Sequence, residues 1–124
     1  MPARSRPLPP AELVGVLEHI DAARAAGENP RDADVRAAVK HFLAVLTERF
    51  PGKSVEVRVP PYAAVQCIEG ARHTRGTPPA VVEMDAVTWL ELARGRVTFA
   101  RATAAGRLRA SGERSDLTPQ LPLI

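Results

Sequence analysis

The sequence predicts an α+β domain of two layers, a mainly antiparallel sheet with helices over one face. Three observations carry that prediction. The apolar period is 3.6 up to Phe50, falls to 2 from Ser54, and returns to helical spacing after Asp85. The clearest strands have one apolar and one charged face, as in a sheet covered on one side and wet on the other. A chain of 124 residues is long enough for a single domain with one core.

The elements follow in order. Residues 1–8, "MPARSRPL", read as a flexible proline-rich tail, and the single domain runs over 9–124. Pro9 and Pro10 suit the start of a helix, where proline is tolerated. Leu13, Val16, Leu17 and Ile20 then recur at helical spacing, and Gly27 stops the segment. A second helix is expected from Asn29 as N-cap and Pro30 as first residue, with the face Val35, Val39, Phe42, Leu43 and Leu46, stopped by Pro51-Gly52. In "SVEVRVP", Val55, Val57 and Val59 point one way and Glu56 and Arg58 the other. "YAAVQCIEG" continues as strand, with Val65 and Cys67 on one face, and "AVVEM" (80–84) is a third. Asp85 is placed to cap a helix through Val87, Trp89, Leu90 and Leu92 that Gly95 closes. Thr98 opens a short helix ending at Gly106, and "RLRASG" alternates again with Leu108 and Ala110 inward.

Composition narrows the function classes. Hydrophobic residues make up 45% and aromatics only 4%, so the core is aliphatic. The net charge of +3 is dispersed and interleaved with acids, which argues against a specific nucleic-acid surface. A pI near 9.7 leaves room for transient contact with an anionic membrane surface. The single cysteine, Cys67, excludes an intramolecular disulfide and fits a reducing cytoplasm. The basic start has no apolar run behind it, unlike a signal peptide, and no stretch is apolar enough to span a bilayer. A cytoplasmic protein is expected.

Catalytic patterns are missing from the sequence. It contains no G-x-S-x-G, P-loop or G-x-G-x-x-G. The histidines His19, His41 and His73 stand outside any H-E-x-x-H or cysteine pairing, and His19 and His41 are expected to face solvent, so no metal site is expected. Cys67 with His73 would make a nucleophile and base, but a cysteine sharing a strand face with Val65 reads better as inert core. Glu69, Glu83 and Asp85 are better suited to pairing with arginine or to capping than to acid–base work. No catalytic residue and no cofactor are assigned, and a non-enzymatic protein is expected.

The segment "HTRGTPPAVVEMDAVTWLELARGRVTFARATAAGRLRASGE" carries a resemblance: an acid ending a strand, "TWLELARG" as helix, a spacer helix, then a short strand between two glycines. In this it resembles the sterol carrier protein family, closest its small bacterial branch. The match is tightest over about residues 73–112 and looser over 35–72. Helix 9–27 reads as an addition before the usual core. The Ala, Arg, Gly and Pro bias fits a GC-rich bacterial genome. The resemblance implies a sterol-carrier-like sandwich with a hydrophobic tunnel between sheet and helices that holds fatty acyl groups, sterols or other lipids without covalent chemistry. The stretch between Val59 and Ala80 is short for the larger members, which points to one strand fewer and a small or closed tunnel.

On that reading the cavity would be lined by Phe42, Leu46, Val65, Cys67, Trp89, Leu92, Phe99 and Leu108. The loop "RHTRGTPP" has two readings: a turn fixed by Gly76 and its prolines with Arg75 paired to Glu83, Asp85 or Asp116, or a site where Arg72, His73 and Arg75 hold a carboxylate or phosphate head group. The chain is also similar to the C-terminal domain of mycothiol-dependent maleylpyruvate isomerases, which leaves two alternatives. One is an accessory domain for a separate metal-binding, thiol-cofactor-dependent isomerase or transferase. The other is a protein-interaction module with a closed core, a homodimer among its forms. The tail "LTPQLPLI" is expected to pack back over the sheet edge.

Overall fold

The computed structural model describes residues 6–70, 79–112 and 115–124. Helix α1 (Pro10–Ala25) starts as its prolines require, with Pro9 extended as N-cap and Pro10 in the first turn. It ends in a Schellman turn: Glu28 N–H donates to Ala23 O at 2.8 Å and Gly27 N–H to Arg24 O at 3.0 Å. Gly27 takes the left-handed φ of 73° that this turn needs.

Helix α2 (Asp32–Arg49) begins two residues later than the Asn29-Pro30 signal suggests. Arg31 is the N-cap, extended at ψ 137° and without a side-chain cap. Asp32 and Asp34 in the first turn instead supply negative charge at the positive helix end. Val35, Ala38, Val39, Phe42, Leu43 and Leu46 form its buried stripe.

Strands β1 (Val55–Val59), β2 (Ala63–Cys67), β3 (Ala80–Met84) and β4 (Leu108–Ser111) form one sheet in the order β2-β1-β3-β4. The outer pairings are antiparallel and the central β1–β3 pairing is parallel. Register fixes the two faces. Val57 stands opposite Val65 on one side and Val82 on the other, so all three point at the helices. Arg58 stands opposite Glu83, which stands opposite Arg109, a row of alternating charge on the open face. Ala110 shares the inward face with Val82, yet it is exposed, on the outer strand of the sheet.

Between β3 and β4 lie α3 (Ala86–Ala93) and α4 (Phe99–Ala104). Both caps are those the sequence predicts: Asp85 Oδ1 accepts from Thr88 N–H at 2.8 Å and Thr98 Oγ1 from Arg101 N–H at 3.1 Å. Trp89 is buried and its Nε1–H donates to Val39 O at 3.3 Å, tying α3 to α2. Arg107 reaches Glu91 at 2.8 Å and ties β4 to α3. The chain end turns through a short 3₁₀ segment (Thr118–Gln120) and closes on α3 rather than over the sheet edge: Leu123 N–H donates to Ala93 O at 2.9 Å. Leu117 and Leu123 are buried there, which gives this apolar tail its reason to dock.

Candidate functional site

Seven of the eight expected lining residues meet in one place. Phe42, Leu46, Cys67, Trp89, Leu92, Phe99 and Leu108 belong to a single buried cluster between sheet and helices. The eighth, Val65, is different. It lies on the same face but on the edge strand, and it stays half-buried while its partner Val57 has no exposed surface. Arg72, His73 and Arg75 lie outside the described residues.

Val65 lines a groove of about 800 Å³ that runs along the outer edge of β2. The last turns of α2 form one wall through Ala44, Thr47 and Glu48; Pro51, Gly52 and Lys53 close one end; Ala64 and Gln66 complete the strand side. Arg6, from the segment before α1, also lines it. The volume falls in the range of about 300–1,000 Å³ common for small-molecule sites. Its position follows from topology: an edge strand leaves one row of backbone groups and part of its inward face without a strand neighbour.

Local chemistry fixes the groove's shape at the Pro51–Lys53 end. Ile68 N–H donates to Phe50 O at 2.6 Å, and Ser54 donates to Ile68 O from both its N–H (3.0 Å) and its hydroxyl (2.6 Å). Holding those bonds puts Ile68 at φ 65°, a left-handed conformation that β-branched residues seldom take. A Cβ on Gly52 would sit 2.2 Å from the Ile68 carbonyl carbon, so only glycine lets the two backbones approach.

The N-terminal segment is anchored by a residue the sequence misplaces. His41 is buried, not solvent-facing, and its Nδ1 accepts the Leu8 N–H at 2.8 Å. The imidazole edge stands against Phe42 with ring centroids 4.8 Å apart. Burial pushes the His41 pKa down, which keeps the ring neutral and its Nδ1 an acceptor. Residue Leu8, read as tail, is thereby fixed beside α2. His19 is exposed, 3.9 Å from Asp34.

Cys67 sits in the core and burial raises its pKa to about 11, leaving a neutral thiol. Among the described residues no three His, Cys, Asp or Glu side chains are grouped to hold a metal ion. No helix of the described residues is long and apolar enough to cross a membrane. Two further grooves, of about 370 and 410 Å³, lie beside Glu83, Asp85, Arg107 and Arg109 and beside His19, Glu28 and Asp34. Both have mixed-charge rims. Sequence reasoning missed Ala44, Thr47, Lys53 and Arg6, which come from three separated stretches; the signal within reach was Val65, an apolar residue on a strand at the end of the sheet order.

Together these features define a small α+β domain with an open mixed sheet, helices on one face and an edge groove lined by both apolar and polar residues. The family model described as bacterial SCP ortholog matches residues 31–123. The chain belongs to that family. No curated protein matches the sequence. The match begins just before α2, so α1 and the segment carrying Arg6 precede it.

Proposed function

We propose that the protein is a non-enzymatic carrier that binds a hydrophobic small molecule, a fatty acyl, sterol-like or other lipid, between the apolar sheet face and the helices. The ligand enters along β2, with Val65 at the entrance and the buried Phe42, Leu46 and Cys67 behind it. What supports this reading is Val65 itself, an inward-facing apolar residue left half-open beside a groove of about 800 Å³ in a member of the bacterial SCP ortholog family. The driving force would be apolar burial, about 0.8 kcal/mol per CH₂ before ordering costs.

Native mass spectrometry on detergent-free protein tests it. Discrete added masses in the lipid range, removed by organic extraction and restored by incubation with fatty acid, are expected. Val65→Trp, which fills the entrance, is expected to lower occupancy at least about five-fold with the melting temperature retained. A protein that stays apo after incubation overturns the carrier reading. It would then favour the interaction-module alternative, for which the outer edge of β2, without a strand neighbour among the described residues, is the natural surface.

A further inference from the structure

The rim of the β2 groove carries two cations that the carrier reading leaves unused. Arg6 and Lys53 both line it, both are exposed, and neither has an ion-pair partner among the described residues. Arg36, Arg58, Arg94, Arg96 and Arg107 each pair with a carboxylate. Among the described residues Arg24, Arg31, Lys40, Arg49, Arg101 and Arg109 do not, and what sets Arg6 and Lys53 apart is that both line this groove. Arg6 is at the groove because the chain before α1 is held there. Leu8 is hydrogen-bonded to buried His41, and Pro7, Pro9 and Pro10 restrict the backbone on either side. The inward apolar surface between the cations and the core is Val65, over nearly buried Ala44, while Ala64 stands opposite Arg58 and adds an apolar edge on the open-face side. Among the described residues, Glu48 is the one acid lining the groove.

We infer that the groove selects an amphiphile with an anionic head, a long-chain carboxylate, with the head on Arg6 and Lys53 and the chain along Val65 at the β2 edge. The inference rests on the carrier reading and narrows it: a neutral sterol or alcohol lacks the group that the two cations would hold. Arginine offers a carboxylate two parallel donors and lysine a compact charge, and charge-assisted bonds are roughly twice as strong as neutral ones. Glu48, on the α2 wall, carries the same charge as the head and disfavours it there. Arg6 precedes residues 31–123 and Lys53 lies within them, so the N-terminal segment supplies one of the two cations.

The test compares palmitate with cetyl alcohol at low salt by calorimetry and native mass spectrometry, on the full chain and on Arg6→Gln, Lys53→Gln, the double variant and Glu48→Gln. All three side chains lie at the surface of the groove, and melting temperatures check that folding is unchanged. Palmitate is expected to bind about ten-fold more tightly than the alcohol, a ratio that falls to about one in the double variant while alcohol affinity holds. Glu48→Gln is expected to tighten palmitate alone. Equal affinity for acid and alcohol, or a preference that survives in the double variant, overturns the head-group assignment and leaves the carrier reading standing. Binding of neither ligand overturns both.

Discussion

At Asp21 two arginines converge on one carboxylate. Arg94 donates to both oxygens at 2.8 Å and Arg96 adds longer contacts at 3.3 and 3.4 Å. The Arg94 side chain is only 12% exposed, so this is the least solvent-screened ion pair described and the one that fastens α1 to the end of α3. The hydrogen bonds from Arg94 hold the Asp21 carboxyl down at about 2, below its ordinary 3.8. A depressed acid pKa stabilises the fold above the unfolded value, and that contribution is lost as pH falls through the folded one. Asp21→Asn is therefore expected to cost about 1–2 kcal/mol at neutral pH in urea titrations, against less than about 0.5 kcal/mol for breaking the exposed Asp32–Arg36 pair. The gap between Asp21→Asn and the parent should narrow as pH drops from 3.8 towards 2. A gap that stays constant over that range would mean the carboxylate's charge does not hold α1.

Element by element, two glycines separate propensity from geometry. Gly15 lies inside α1 with nothing within 4 Å of where a Cβ would stand, so Gly15→Ala should raise stability by about 0.5–1 kcal/mol through helix propensity alone. Gly52→Ala puts a methyl 2.2 Å from the Ile68 backbone and should cost about 2 kcal/mol or more, with loss of the groove's closed end. Paired thermal melts decide both. The same contrast explains what was legible in the sequence. Helix faces, strand faces and the Asp85 and Thr98 caps depend on residues within a turn or two of one another, and each appears where periodicity or capping chemistry puts it. The start of α2 slipped because a generic cap signal at Asn29 lost to the acids at Asp32 and Asp34. His41 was misread because its partner is Leu8, 33 positions away, and a buried histidine is recognisable only once that N–H is in place. Asp21 and Arg94 are 73 positions apart, and the groove assembles from Arg6, α2, Lys53 and β2. Such pairings follow from topology, which local pattern does not encode.

Across the whole molecule, Cys67 reports whether sheet and helices stay closed. It sits on the edge strand next to the groove yet has no exposed surface, and burial lifts its thiol from 9.0 to about 11. A raised thiol pKa stabilises the fold below the unfolded value, and that contribution fades as pH climbs from 9.0 towards 11, so alkali should loosen this edge. At pH 8 the buried thiol is expected to react with a disulfide reagent about a hundred-fold more slowly than in the urea-unfolded chain, because reaction needs both opening and ionisation. Saturating palmitate should slow it further, since a ligand that binds only the folded form lowers the open population. The carrier reading needs the edge to admit a chain without exposing the core at large. Labelling slowed by ligand matches that requirement; labelling accelerated by ligand would mean that binding pries β2 from α2 and that the chain passes Val65 into the cluster of Phe42, Leu46 and Trp89, which keeps the carrier reading and overturns the placement of the chain along the groove.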